Sequence, residues 1–119
     1  MNKLIEEIFA GFKVDDKVIP VSYIDYDGSE TTYITYQNIN IDGTLAGDDE
    51  ILGYIDYYDF NIYSTSNYLK IVRELKKILK SNGFAWQPSM SSEDIFEKDT
   101  GYHHKTLCFA IERMESEEE

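Results

Sequence analysis

The sequence predicts an α+β fold: a mostly antiparallel β-sheet with two helices packed on one face, in the order α-β-β-β-α-β-β. Three observations carry that prediction. Residues 2–12 and 67–81 repeat apolar side chains at helical spacing. The segments between and after them are rich in β-branched and aromatic residues, and Gly, Asn and Asp punctuate the joins.

The first helix places Leu4, Ile5, Ile8, Phe9 and Phe12 along one side, with Asn2 at its cap. Glu6 and Glu7 lie opposite in the early turns, where the helix dipole favours acids. After the charged link Asp15-Asp16-Lys17, VIPVSYIDY reads as a strand that Asp27-Gly28 turns back into TTYITYQNINI, giving a β-hairpin. Pro20 implies that the first of these strands lies at an edge or starts irregularly. IDGTLAGDDE, residues 41–50, reads as a loop from its Gly and Asp content. The third strand, YIDYYDFNIYS, turns Tyr58, Phe60 and Ile62 to the core and Tyr57, Asp59, Asn61 and Tyr63 to the other face. STSN caps the second helix, whose apolar stripe holds Tyr68, Ile71, Val72, Leu75, Ile78 and Leu79, and Asn82-Gly83 ends it. Phe84-Ala85-Trp86 starts another strand, and Pro88 to Gly101 reads as a polar loop. The last strand, Tyr102 to about Met114, points Leu107, Phe109 and Ile111 inward.

A chain of 119 residues suits one domain with a sizeable core. We place that domain at 1–112 and expect residues 113–119 to form an acidic, disordered tail. Hydrophobic residues make up 42% of the chain and aromatics 14%, which excludes wholesale disorder despite a net charge of -12. The terminal ERMESEEE carries five glutamates, yet without it the chain still holds 18 acidic against 10 basic residues. An acidic body repels phosphate backbones and anionic lipid, so neither nucleic acid nor membrane is an expected partner. The single cysteine, Cys108, has no intramolecular disulfide partner, and MNKLIEEIF carries acids where a secretory signal has an apolar run. No apolar stretch approaches the roughly 20 residues that span a bilayer. The expected compartment is a reducing cytoplasm.

Several side chains invite chemistry. Asn38, Asn40, Asp42, Gly43 and Asp49 approach a calcium-loop pattern, but Ala46 offers no side-chain ligand and the flanks read as strands, so a turn stabilised by its Asn and Asp residues is preferred. His103 and His104 are adjacent on a strand and leave opposite faces, which opposes a shared metal. Cys108 and His104 share a face about 13 Å apart, too far for an activated thiolate, and Asp56 and Asp59 point to opposite faces rather than forming a dyad. No glycine loop cradles a phosphate. We expect no enzyme activity, cofactor or metal. Lys70, Arg73, Lys77 and Lys80 recur at helical spacing opposite the apolar stripe. This basic ridge reads either as an ordinary solvated face or as a contact for the acidic surface of a second copy or partner.

Together YIDYYDFNIYS, the helix NYLKIVRELKKIL running into NGFAWQPS, and the closing EDIFEKDTGYHHKTLCFAIE, with VIPVSYIDYDGSETTYITY before them, form a run covering most of residues 18–112. That run resembles the small tail-terminator, or tail-completion, proteins of long-tailed bacteriophages and prophages, also labelled minor capsid or head-tail joining proteins. The resemblance implies an α+β subunit that assembles as a ring, typically hexameric, on the tail tube. There it ends tube growth and provides the surface for the head, with the tube and head-completion proteins as partners and the virion tail or neck as its place. It implies no cofactor and transfers no residue roles. Interface candidates therefore come from the residues: Tyr57 and Tyr63, the ridge Lys70, Arg73, Lys77 and Lys80, and the acidic Asp48, Asp49 and Glu50, within the loops 42–50 and 88–101 and the second face of the third strand. The alternative is an acidic inhibitor or DNA mimic that occupies a nucleic-acid enzyme's basic groove.

Overall fold

The computed structural model describes residues 2–46, 50–66, 68–92 and 94–114. Helix α1 (Asn2–Ile8) leads into a small ribbon of β1 (Lys13–Val14) and β2 (Lys17–Val18). Then come β3 (Val21–Tyr23), β4 (Tyr33–Ala46), β5 (Glu50–Ser64) and helix α2 (Leu69–Ser81). The chain closes with β6 (Ala85–Trp86), a 3₁₀ turn (Pro88–Met90), β7 (Ile95–Glu97) and β8 (Tyr102–Met114). The fold is α+β. Its main sheet has the order β3-β4-β5-β8-β6, with β7 also on β8, and every pair except β3–β4 is antiparallel.

Alternation along the strands gives the sheet one apolar face. Tyr36, Phe60 and Leu107 lie side by side across β4, β5 and β8, flanked by Ile34, Ile62, Tyr58 and Phe109. Ile5 and Phe9 from the first helical segment, and Ile71, Val72, Leu75 and Leu79 from α2, cover that face. Phe60 is the hub, with ring centroids 5.7 Å from Phe109, 5.8 Å from Tyr36 and 5.9 Å from Phe9. Burying such a ring contributes about 2–3 kcal/mol.

Several local expectations change. Asn2 is the first residue of α1 and not its cap, and α1 stops at Ile8, although Phe9 and Phe12 remain in the core. The chain turns away at Gly11, whose φ of +69° suits glycine. The first expected hairpin does not form. Val21, Ser22 and Tyr23 pair in parallel with Ile34, Thr35 and Tyr36, because a tight turn centred on Ile24 (φ +66°) sends the connection 24–32 back to the start of β3. In that turn Asp25 N–H donates to the Tyr23 carbonyl at 2.7 Å. Strand β3 is an edge, as Pro20 indicates, and the Pro20 carbonyl accepts from Ile34 N–H at 2.8 Å.

Residues 41–46 are strand rather than loop. Strands β4 and β5 stay paired to Ala46↔Glu50, absorbing irregularities at Asn38/Asn40 and Thr44/Leu45, and form a long hairpin arm. The molecule measures 53 × 27 × 24 Å. Helix α2 is not capped by STSN: its N-cap is Tyr68, without a side-chain cap bond. The hydroxyls before it bond elsewhere, Thr32 Oγ1 to Ser64 Oγ at 3.1 Å and Thr65 to Thr31 at 3.4 Å, tying the helix approach to the start of β4. Its other end is as expected. Gly83 (φ +89°) donates to the Lys80 carbonyl and Phe84 to Leu79, so the terminal carbonyls are satisfied and Phe84 drops into the core.

The segment 88–101 is not a plain loop, since it contains the 3₁₀ turn and β7. Strands β6 and β7 together make one interrupted edge: eight residues of chain separate Trp86 from Ile95, whereas only four separate their partners Phe109 and His104 on β8. Backbone bonds from Gln87 N–H to the Cys108 carbonyl and from Ser92 N–H to the Thr106 carbonyl persist, and serine side chains take up the β8 donors between them. Ser91 Oγ accepts from Cys108 N–H at 3.0 Å and Ser92 Oγ from Thr106 N–H at 2.8 Å. Strand β8 runs to Met114, so residues 113 and 114 of the expected tail are strand, and residues 115–119 lie outside the described residues.

Candidate interaction surfaces

Helix α2 buries one stripe and exposes Arg73, Lys77 and Lys80 on the other, as its periodicity predicts. Lys70 pairs with Asp15 at 3.0 Å and does not line the groove that the others rim. Lys76 takes its place. Arg73, Lys76, Lys77 and Lys80, spaced as neighbours along the helix, rim a groove of about 780 Å³ whose apolar wall is Phe84, Ala85, Trp86 and Phe109. The Lys76 ammonium sits 3.5 Å from the Trp86 ring centroid, and Trp86 Nε1–H donates to Ser91 Oγ at 3.0 Å, so the indole is held from both sides. Desolvation, then the charge of Lys105, lowers the Lys76 pKa.

On the opposite face of the sheet, Tyr33, Tyr63 and His104 are directly paired across β4, β5 and β8 and stack, with centroids 4.9 and 4.4 Å apart. Tyr26 continues the stack on Tyr33 at 4.5 Å, and Tyr102 meets both Tyr33 and Tyr63 edge-on. Burial raises the pKa of Tyr33 and Tyr63 alike. Tyr63 is thus a structural member of an aromatic ladder, whereas Tyr57 stands six residues along the same face, about 20 Å away, opposite Asn40 and Ala110.

The rows between are polar. Thr106 Oγ1–H donates to Asn61 Oδ1 at 2.7 Å. Asp59 faces Cys108; burial raises the Asp59 pKa, partly offset by its hydrogen bond with the thiol. Burial, then the Asp59 charge, pushes Cys108 up to about 11, so the thiol stays protonated and poorly nucleophilic. Asp56 lies on the other face, fully buried, its Oδ2 2.7 Å from Arg113 Nε. His103 sits beside Phe96 and Tyr68, away from His104. Among the described residues, no three His, Cys, Asp or Glu side chains are grouped to hold a metal. Asn38, Asn40 and Asp42 of the calcium-loop pattern stand in strand β4, and Asp49 lies outside the described residues, as does Asp48.

The bulged segment is pinned to the body. Lys105 Nζ meets Asp94 at 2.8 Å, and hydrogen bonds from Lys105 and then Tyr68 hold the Asp94 carboxyl below its usual pKa. Desolvation first, then the bond to Asp94, pushes Tyr68 up to about 12.

Among the described residues, exposed apolar side chains gather in a few places. Tyr23 and Ile24 lie at the β3 edge with Val18 on the neighbouring β2, Trp86, Met90, Ile95 and Phe96 lie along the β6–β7 edge, Ile39 and Ile41 on the arm, and Leu69 at the start of α2. Residue spacing reveals the ridge but not the groove, because Phe84, Trp86 and Phe109 come to line it beside Lys76 only through tertiary packing. The available signal was the Asn82-Gly83 stop, which fixes where Phe84 and Trp86 must go. No family model matches this chain, and no curated protein sequence matches it.

Proposed function

We propose that the protein is a structural subunit that assembles with its own copies, as a ring that caps a phage tail tube, ends its growth and forms the head-tail joining surface. The observation that carries this reading is the concentration of exposed apolar side chains at the sheet's two opposite edges. The edges differ in sequence and shape, so contact between one edge and the other is head-to-tail, the kind of interface that generates closed rings. The sequence resemblance supplies the class of assembly, and the acidic body suits a passage that DNA must cross without sticking.

Light scattering over a concentration series, negative-stain imaging and binding to purified tail tubes test the proposal. Rings in solution, or rings seated on tube ends, are the expected result. A chain that neither self-associates nor binds tubes refutes it. A strict monomer that blocks a nucleic-acid-binding enzyme would instead favour the acidic-mimic alternative.

A further inference from the structure

We infer that the groove between α2 and β6 receives the tip of the β4–β5 arm of a neighbouring copy. This inference rests on the ring reading and names the contact that would close it. The groove is a local concentration of positive charge, Arg73, Lys76, Lys77 and Lys80, on a chain of net charge -12. Its wall is apolar, and Trp86 is already oriented by Ser91 and Lys76, so little side-chain order is lost on binding.

The arm carries the complementary chemistry. Between and beside its strands the sequence reads LAGDDEIL, with Asp48, Asp49 and Glu50 in succession and leucine and isoleucine on either flank. Acids can pair with the rim while the flanking apolar side chains meet the wall. The arm cannot serve its own groove. The groove lies beside Phe109, opposite Tyr58 on β5, and Glu50 is eight residues from Tyr58 along the same strand, about 26 Å away. The occupant is therefore a second copy's arm. The groove also adjoins the exposed β6–β7 edge, so the contact extends the surface already assigned to assembly.

Charge reversal tests this directly. Lys77→Glu with Lys80→Glu in one variant, and Asp48→Lys with Asp49→Lys in another, should each weaken self-association at least about a hundredfold, because like charges then face one another. Mixed in equal amounts, the two variants become complementary again and should restore assemblies of alternating composition, read by native mass spectrometry. Lys77 and Lys80 are exposed; circular dichroism checks folding of each variant, and Lys77→Gln with Lys80→Gln should give an intermediate loss. Unchanged association in either reversed variant, or failure of the mixture to recover, overturns the inference and leaves ring formation standing. Wild-type chains that never associate, with or without tubes, overturn the ring reading itself. Binding of a duplex oligonucleotide that is lost on lysine reversal, with self-association intact, would reassign the groove to phosphate.

Discussion

Removing Arg113 should strand a buried charge at the base of the arm. The Asp56 side chain is fully buried; its Oδ2 meets Arg113 Nε at 2.7 Å, and its Oδ1 has no hydrogen-bond partner. Arg113→Met deletes the counter-charge and costs about 3–5 kcal/mol, the usual price of an uncompensated buried ion. Loss of the guanidinium over Tyr54, now 4.5 Å from the ring centroid, adds about 0.5–1 kcal/mol. For a chain of this size the unfolding entropy is about 0.25 kcal/mol/K, so the combined loss should lower the melting temperature by about 14–24 °C. Asp56→Asn should cost less, because the Arg113 side chain is 16% exposed and can turn its charge toward water. The decisive variant replaces both, Asp56→Leu with Arg113→Met. It should recover to within about 1 kcal/mol of wild type, since an apolar pair of similar volume needs no desolvation. Urea unfolding followed by circular dichroism measures all three. A loss below about 1 kcal/mol for Arg113→Met, or a double variant no better than the single, would refute the view that the pair's energetics are dominated by desolvation.

Ile24 holds φ +66° with a β-branched side chain that is 58% exposed, so Ile24→Gly should raise stability by about 0.5–1 kcal/mol in urea titrations. Tyr63→Ser breaks two stacked contacts and should cost about 1–3 kcal/mol, whereas Tyr57→Ser should leave stability nearly unchanged and is the cleaner probe of that face for assembly. Cys108, raised to about 11, should resist thiol reagents at pH 8 until urea unfolds the chain. Above about pH 8.5 the unfolded chain loses the Cys108 proton while the folded chain keeps it, so stability should fall from there through pH 11. Tyr33, Tyr63 and Tyr68, all raised, should extend that loss above pH 10 in the same sense, and Cys108→Ala should remove only the earlier part, seen in thermal melts across pH.

Period and composition made the central elements legible. Tyr58, Phe60 and Ile62 face the core, Leu107, Phe109 and Ile111 face it from β8, and Gly83 ends α2, because each depends on alternation or on a backbone requirement that one residue reveals. Pairing partners were less legible. Nothing local tells β3 to run parallel to β4, since that depends on one isoleucine accepting a positive φ. Nor does a Gly- and Asp-rich segment show that it will remain strand when a long partner offers it backbone hydrogen bonds. The ridge on α2 was readable, but exchanging Lys70 for Lys76 required knowing that Asp15 lies beside one and Trp86 beside the other. Tyr63 was visible as a non-core aromatic, and its stacking with Tyr33 and His104 followed only once three strands were in register.

The interrupted edge has a consequence for how copies of this chain can and cannot join. A continuous outer strand would offer a neighbour an unbroken rail of N–H and C=O groups, the template by which sheets grow from molecule to molecule into fibres. Here the rail is broken into runs of two and three residues, with a serine-rich excursion between them. At this edge a neighbour's backbone has nothing long enough to zip onto. Any contact made at this edge would pass through side chains, whose shape fixes an angle between the partners, and a fixed angle is what a closed assembly requires.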